Sequence, residues 1–174
     1  ISDDSIFETY QTERYPHSET LVQMAIDLGK IICVTSNEEA AQRDAAFMSG
    51  EVPPMPPMPN LIDGILYKDA YGVLKENSGK LSFQSIVKFN GKEGLFDDVF
   101  GKGWVLYSFN EEIENHLLAE QKEALNKLGV KIAILSETDK PGLIHDLNNQ
   151  YKKFFESNKI ETALVRPDYY LFGA

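Results

Sequence analysis

A stripe of mostly apolar residues recurs at helical spacing through the first thirty residues. Its members are separated by three or four positions: Phe7, Tyr10, Arg14, His17, Leu21, Met24 and Leu28. This spacing predicts one face of a helix. Pro16 should kink or restart that helix, and Gly29 is predicted to cap its C-terminus. A second helix is predicted over SNEEAAQRDAAFMSG, with Ser36 or Asn37 as N-cap and Gly50 beyond its end.

Prolines end this helical pattern. The stretch EVPPMPPMPN, residues 51–60, contains five prolines and favours an extended, polyproline-like run. A peptide ligand for an SH3-type domain is the alternative, but the flanking basic residue typical of such ligands is missing. We therefore divide the chain into a helical segment (1–50), a proline-rich linker (51–80) and a C-terminal domain (81–174).

Strand-like patterns dominate the C-terminal domain. Apolar positions alternate from residue 81 to residue 89, and Asn90-Gly91 is a strong signal for a tight turn. The runs WVLYSF (104–109) and VKIAIL (130–135) read as buried strands. Residues 111–128 between them predict one amphipathic helix, with these residues on its buried face: Ile113, Leu117, Gln121, Ala124 and Leu128.

The last third predicts one more helix and a closing hairpin. Pro141 suits the first position of that helix, and its buried side would comprise Ile144, Leu147, Tyr151 and Phe154. Two short strands then flank Arg166-Pro167-Asp168, with Pro167 at the second position of a turn. The order β-α-β-α-β-β, with the first two strands parallel and the last two antiparallel, predicts an α/β, thioredoxin-like domain preceded by an α-helical segment.

Composition narrows the possible functions. The 174 residues carry a formal net charge of −10 with a pI near 4.8, which disfavours binding to nucleic acids or to anionic membranes. No apolar run approaches the roughly 20 residues that span a bilayer. The N-terminus has neither the basic nor the apolar region of a signal peptide, so we expect a cytoplasmic protein.

Thiol chemistry is disfavoured by the position of the one cysteine. A redox-active thioredoxin-like domain carries its nucleophilic cysteine at the start of the first helix. Asn110, Glu111 and Glu112 occupy that place and are ordinary residues for a helix N-terminus. Cys33 lies far upstream within the apolar run KIICV, which predicts a buried, unreactive thiol.

Other candidate sites have simpler explanations. Asp97 and Asp98 are predicted to cap the short helix before Gly101 rather than to act as an acid–base pair. His116 and Glu120 share a helix face, but a catalytic zinc site needs a third protein ligand. The glycines match no phosphate-binding pattern. We therefore predict no catalytic, cofactor-binding or metal-binding residue in this chain.

Four stretches resemble the C-terminal part of FAD-dependent aromatic-ring hydroxylases. ETYQTERYPHSETL is similar to the helix after the flavin-binding core, whose Y-x-x-E-R-x-P signature is matched by Tyr10, Glu13, Arg14 and Pro16. PPMPNLIDGILY resembles the linker of the phenol and 3-(3-hydroxyphenyl)propionate hydroxylase branch. GLFDDVFGKGWVLY, which includes Asp97, Asp98, Gly101 and Trp104, resembles a second stretch of that branch. ALVRPDYYLFGA resembles its closing V-R-P-D-G-Y-V, through Arg166, Pro167, Asp168 and Tyr170.

The resemblance implies a function located elsewhere in a longer polypeptide. Such enzymes hydroxylate phenolic rings with FAD, NAD(P)H and O₂, and their tail is a thioredoxin-like domain without redox cysteines. The flavin-binding and substrate regions, which lie upstream in that family, are then the expected partner, together with a homodimer contact. Tyr169 departs from the family pattern, which has glycine there, so the turn type stays open. Arg166 is expected to tie the turn to an acidic group.

Two alternatives use the same residues differently. A free-standing, redox-inactive thioredoxin-like module would bind a partner protein through its helices or its proline segment. A thiol peroxidase or reductase would require a reactive Cys33. The hydroxylase interpretation differs from both because it predicts exposed apolar surface on residues 6–49, where a flavin-binding domain would pack.

Overall fold

The computed structural model describes residues 5–51 and 54–174, with only the backbone of Ser5 and Ile6 described. Two residues of the predicted polyproline-like run, Val52 and Pro53, and the first four residues of the predicted helical segment lie outside the described residues. Contacts divide the chain into two compact units, Ile1–Gly64 and Ile65–Ala174.

Two helices make up most of the first unit. Helix α1 (Ser5–Ile32) contains both Pro16 and Gly29, so it does not restart at Pro16, and the predicted cap at Gly29 is wrong. A helix of 28 residues can tolerate the loss of the one backbone hydrogen bond that a proline removes. Helix α2 (Asn37–Ser49) is capped as predicted at both termini. The Ser36 hydroxyl accepts the Glu39 N–H at its start, and Gly50, with φ +76°, caps its C-terminus.

The second unit is built on one seven-stranded sheet in the order β2-β1-β5-β4-β3-β6-β7. Its strands are β1 (Ile86–Phe89), β2 (Lys92–Leu95), β3 (Val105–Ser108), β4 (Lys131–Ser136), β5 (Ile144–Asp146), β6 (Thr162–Val165) and β7 (Leu171–Gly173). Two predicted pairings are confirmed: β3 and β4 run parallel, and β6 and β7 are antiparallel. All four residues of β3 are buried.

The sheet extends beyond the predicted thioredoxin-like core through a hairpin of β1 and β2. The predicted turn at Asn90-Gly91 is confirmed, with φ +49° and +78°, as a two-residue hairpin loop requires. Strand β1 begins only at Ile86, whereas Leu81 makes a single bridge to Tyr170. Strand β2 was not predicted, because the sequence KEGL shows no alternation of apolar and polar residues.

The predicted helix over 111–128 is interrupted. Helix α4 (Ile113–His116) stops at Leu117, whose ψ of 132° is extended, and α5 (Ala119–Lys127) follows. The Gln121 side chain accepts the Leu118 N–H at 2.8 Å and so starts a new helix without glycine or proline. Only Ile113 of the predicted face is buried, and α5 buries no residue.

The predicted helix from Pro141 begins much later. Ile144 and Asp146 are buried in β5, with half-buried His145 between them, so this segment has the two-residue period of a strand. Strand β5 pairs parallel with β4 and antiparallel with β1. Helix α6 (Gln150–Asn158) starts where the Asp146 carboxylate accepts the N–H groups of Gln150 and Lys152 at 3.2 and 3.1 Å. These two bonds cap the helix in place of Pro141.

The core lies where α3 (Phe96–Val99) and α6 cover the sheet. It contains Val87, Phe96, Val105, Tyr107, Ala133, Leu135, Ile144, Tyr151, Phe155, Ala163, Val165 and Leu171. The predicted capping role of Asp97 and Asp98 is wrong, since Leu95 is the N-cap of α3 and makes no side-chain bond. Gly101 follows the helix with φ +103°. Among the described residues no helix combines the length and apolar character that crossing a membrane would need.

Candidate functional site

The closing hairpin is a proline turn with one residue in a left-handed conformation. The Tyr169 N–H donates to the Arg166 carbonyl at 3.0 Å, which confirms Pro167 at the second position of the turn. Tyr169 has φ +69°, and the strands shift register between Leu164 and Val165. A turn of this kind followed by a left-handed residue forms a bulged three-residue loop, which settles the turn type that the sequence left open.

Arg166 joins this turn to the start of the second unit. Its side chain is buried, and its Nε and Nη2 donate to the two carboxylate oxygens of Asp168 at 3.1 and 2.8 Å. Its Nη1 donates to the carbonyl of Ile65 at 2.9 Å. The acidic group expected from the sequence is therefore Asp168 itself. A bidentate pair of this kind fixes the geometry of both side chains.

A second polar contact holds the left-handed residue. The Tyr169 hydroxyl donates to the Asp97 carboxylate, and Gln84 Nε2 donates to Asp97 Oδ2 at 2.5 Å. The hydrogen bond from Tyr169, together with desolvation and the negative charge of the carboxylate, raises the pKa of the Tyr169 phenol. Sequence reasoning missed this contact, because Asp97 and Tyr169 lie far apart along the chain and neither position is unusual alone.

The outer edge of the sheet is covered by residues 67–81. The Tyr67 N–H donates to the Phe172 carbonyl at 2.7 Å. The Leu171 carbonyl accepts the Gly79 N–H, and the Leu171 N–H donates to the Lys80 carbonyl, both at 2.9 Å. A side chain at Gly173 would place a Cβ 2.7 Å from that of Tyr67, so glycine permits this close approach. These contacts protect β7 from pairing with another chain. Trp104 packs edge-on against Phe172 within this unit.

The Y-x-x-E-R-x-P residues of α1 differ in burial. Glu13 is only 5% exposed, and a Cβ on Gly64 would lie 2.7 Å from its Cβ and Cγ, so glycine is required there. Arg14 Nε pairs with Glu13 at 3.4 Å, and Pro16 is half-buried. Tyr10 is 67% exposed.

Large apolar side chains of the first unit are widely exposed. Within α1 and α2, ten have more than a third of their surface open: Phe7, Tyr10, Tyr15, Val22, Ile26, Leu28, Ile31, Ile32, Phe47 and Met48. Soluble monomers rarely expose so many large apolar side chains on one short segment. Cys33 is also exposed, so its predicted burial is wrong; the apolar run around it continues the open end of α1.

A crevice of about 620 Å³ opens at the carboxyl ends of β3 and β4. Its walls are Phe109, Asn110, Glu137, Lys152, Phe155, Glu156, Lys159, Ile160 and Glu161. Asn110 stands where a redox-active domain of this fold would place its cysteine. Lys152 Nζ pairs with Glu137 at 2.6 Å and lies 3.9 Å from Glu156, and the bond to Glu137 raises the pKa of the Lys152 ammonium. Sequence analysis did not predict this crevice. The available signal was the helical spacing i, i+4 and i+7 of the charged residues Lys152, Glu156 and Lys159.

The part of the chain that the structure describes contains no metal-binding cluster, and two of its helix starts are already capped. His116 and Glu120 are exposed on separate helices, and no cluster of three or more potential ligands occurs among residues 5–51 and 54–174. A flavin pyrophosphate binds at open helix N-termini beside glycine. In this chain the Ser36 hydroxyl and the negatively charged Asp146 already cap α2 and α6, so neither start is open to a pyrophosphate.

Comparisons with known proteins relate the chain to aromatic hydroxylases. It is 29% identical over 172 residues to a probable NADH-specific resorcinol 4-hydroxylase of Rhodococcus jostii, covering 98% of this chain and 32% of that protein. It is 27% identical to a 3-(3-hydroxy-phenyl)propionate/3-hydroxycinnamic acid hydroxylase of Mycolicibacterium vanbaalenii, covering 99% and 34%. The chain thus spans about a third of the curated relatives it matches.

Solved structures share the fold. Aklavinone-11 hydroxylase in complex with FAD and aklavinone superposes with a TM-score of 0.59 at 18% identity, over 99% of this chain and 32% of that one. The flavin-dependent monooxygenase PieE, in complex with FAD and substrate, gives a TM-score of 0.52 at 15% identity, over 94% and 35%. The predicted α/β class is confirmed, and with a single cysteine the chain lacks the redox pair of a thioredoxin.

The family model described as the HcaD C-terminal domain matches residues 79–174, which include all seven strands. That match covers more than half of the chain, and the resemblance drawn from the four sequence stretches is confirmed with it. The chain belongs to the HcaD C-terminal domain family.

Proposed function

We propose that this chain is the C-terminal region of a flavin-dependent monooxygenase that hydroxylates phenolic rings with NAD(P)H and O₂. Its own role is structural: it stabilises the enzyme or forms a subunit contact. Flavin would be held by other parts of the polypeptide and would supply the oxidising chemistry there. The relatives named as hydroxylases support this proposal, because they match almost all of this chain with one third of their own length.

The exposed apolar surface of α1 and α2 carries the structural part of the proposal. Burial of ten large apolar side chains against a partner would be strongly favourable, at about 25 cal/mol for each Å² removed from water. Residues 1–64 also carry eleven acidic and three basic residues, so most of the net charge of −10 lies in this unit. The surface that covers α1 and α2 should therefore be apolar with a basic rim.

The activity can be tested on the native polypeptide that carries this sequence. We expect a yellow protein about three times as long, with the absorbance of oxidised flavin and with NAD(P)H oxidation stimulated by phenols. A colourless polypeptide of 174 residues would contradict the proposal and favour a free-standing binding module.

The structural role can be tested with a matched pair of substitutions. Ile26 in α1 and Leu128 beside α5 are 48% and 52% exposed. In the 174-residue chain, Ile26→Glu and Leu128→Glu should each change stability by less than about 0.5 kcal/mol, as exposed substitutions do. In the longer polypeptide, Ile26→Glu would bury a charge and should lower stability by about 2 kcal/mol or more, with loss of flavin.

Leu128→Glu serves as the control, since it should leave both the chain and the longer polypeptide unchanged. Thermal unfolding and flavin release measured on both variants distinguish the outcomes. If Ile26→Glu is harmless in a longer, flavin-containing polypeptide, α1 does not dock there, although the hydroxylase assignment would survive.

A further inference from the structure

The crevice described above lies at the place where open α/β sheets bind ligands. From β3 the chain passes through α4 and α5 to β4 on one side, and from α6 it returns to β6 on the other side of β3. Strand β6 is antiparallel to β3 and begins beside its carboxyl end, where the crevice opens. In open α/β sheets, crevices outside the carboxyl ends of the strands are a common position for ligands. The comparisons with hydroxylases assign nothing to this crevice.

Hydrogen bonds hold the walls of the crevice in place. The Ser108 hydroxyl at the end of β3 accepts the Asn110 N–H at 3.0 Å, and it donates to the Glu161 carbonyl at 3.3 Å. At the end of β4, the Ser136 hydroxyl accepts the Thr138 N–H at 3.2 Å. Each parallel strand thus ends in a serine turn that fixes the next two residues. The crevice is preformed, as small-molecule sites usually are.

The lining combines an aromatic floor with an excess of negative charge. Phe109 and Phe155 meet edge to face with ring centroids 5.3 Å apart. Lys152 bonds to Glu137 at 2.6 Å and also lies 3.9 Å from Glu156, so the three carboxylates of the lining face two ammonium groups, those of Lys152 and Lys159. Lys159 directly follows α6, whose C-terminal end contributes partial negative charge.

We propose that this crevice binds a small molecule that carries an aromatic ring and an ammonium group. The ring would pack on Phe109 and Phe155, and the ammonium group would lie between Glu156 and Glu161. An aromatic carboxylate fits less well, because carboxylates outnumber ammonium groups in the lining. This site is independent of the proposed hydroxylase function, so either can fail without the other.

The test is an NMR titration of the 174-residue chain at low salt with three probes of similar size. The probes are 2-phenylethylamine, 2-phenylethanol and 3-phenylpropionate. We expect 2-phenylethylamine to bind with a Kd of about 1 mM, a value typical of so small a ligand. The amide shifts should be confined to residues around Asn110 and Lys159, and the affinity should fall at high salt.

Charge substitutions give effects of opposite sign. Glu156→Gln and Glu161→Gln should each weaken binding of the amine roughly two- to fivefold, as expected for loss of an exposed ion pair. Lys159→Gln should strengthen it by a similar factor. Glu123→Gln is the matched control, because Glu123 is exposed on α5, pairs with Lys127 and does not line the crevice.

The outcomes separate clearly. Equal binding of 2-phenylethylamine and 2-phenylethanol would overturn the role of the carboxylates. Tighter binding of 3-phenylpropionate would overturn the choice of an ammonium ligand. Shifts located elsewhere, or no saturation at tens of millimolar probe, would overturn the site itself. All four substitutions are on exposed side chains, so the variants should remain folded.

Discussion

Tyr169 allows a sharp test of the closing hairpin, because a bulky residue stands there in a conformation that glycine adopts freely. Its φ is +69°, and the other described non-glycine residues with positive φ are three asparagines and Lys159. A left-handed conformation is unfavourable for a residue other than glycine by about 1–2 kcal/mol. The hydroxyl bond to Asp97 offsets part of this strain.

Replacing Tyr169 with alanine and with glycine separates the backbone from the side chain. Both variants lose the ring and the bond to Asp97, but only glycine relieves the strain. At an ordinary strand position glycine is less stable than alanine by about 0.5–1 kcal/mol. Here the order should reverse, with Tyr169→Gly more stable than Tyr169→Ala by about 0.5–1 kcal/mol. Tyr169→Phe keeps the strain and the ring, loses only the hydroxyl bond and should be less destabilised than Tyr169→Ala.

Urea unfolding followed by tryptophan fluorescence suits this comparison. Trp104 is the only tryptophan, and it packs against Phe172 of β7, next to the hairpin. Its emission therefore reports on the unit that contains Tyr169. If the alanine variant is as stable as the glycine variant, the left-handed conformation of Tyr169 does not strain the hairpin. The geometric argument would then be wrong.

Three further predictions concern buried and exposed groups. Burial raises the pKa values of Tyr107 and Tyr151, so the stability that these two phenols contribute should be constant below about pH 10 and fall above it by about 1.4 kcal/mol per pH unit for each phenol. Tyr107→Phe should therefore make the alkaline loss of stability less steep by the share of one phenol. Asp146→Ala removes two bonds at the start of α6 and should lower the free energy of unfolding by about 2 kcal/mol, whereas Asp146→Asn keeps an acceptor and should lower it less in the same urea assay. Cys33 should react with a thiol reagent in the native protein as fast as in urea, and protection until unfolding would contradict its exposure.

The parts of the fold that could be predicted are those with strong local signals. Strand β3 is a continuous apolar run buried on both faces, and Asn90-Gly91 and Pro167 determine their turns by backbone preference alone. Strand β5 could not be predicted in this way, because it has only three residues and exists through its pairing with β1 and β4. The break at Leu117 likewise depends on one side-chain bond from Gln121, which has no distinctive sequence pattern.

The site was harder to predict because its residues come together only in three dimensions. Arg166 was expected to bind an acidic group, and Asp168 two positions away was not recognised as that group. The bond from Tyr169 to Asp97 and the charged lining of the crevice join residues from separate elements. A sequence pattern can suggest which residues carry charge, but not which of them face a common cavity.

Periodicity also states which residues share a helix face without stating what covers that face, as α5 and α1 illustrate. On α5 the predicted face is largely polar, and the exposed Leu118 and Leu128 flank the helix on either side, which water tolerates. On α1 and α2 ten large apolar side chains are exposed, which water does not tolerate so readily. The exposure of the α5 face contradicts the sequence prediction, whereas the exposed apolar surface of α1 and α2 is what the hydroxylase interpretation predicts. The proposed partner would cover the α1 surface and not the α5 surface, which is why Ile26→Glu and Leu128→Glu should differ in the longer polypeptide.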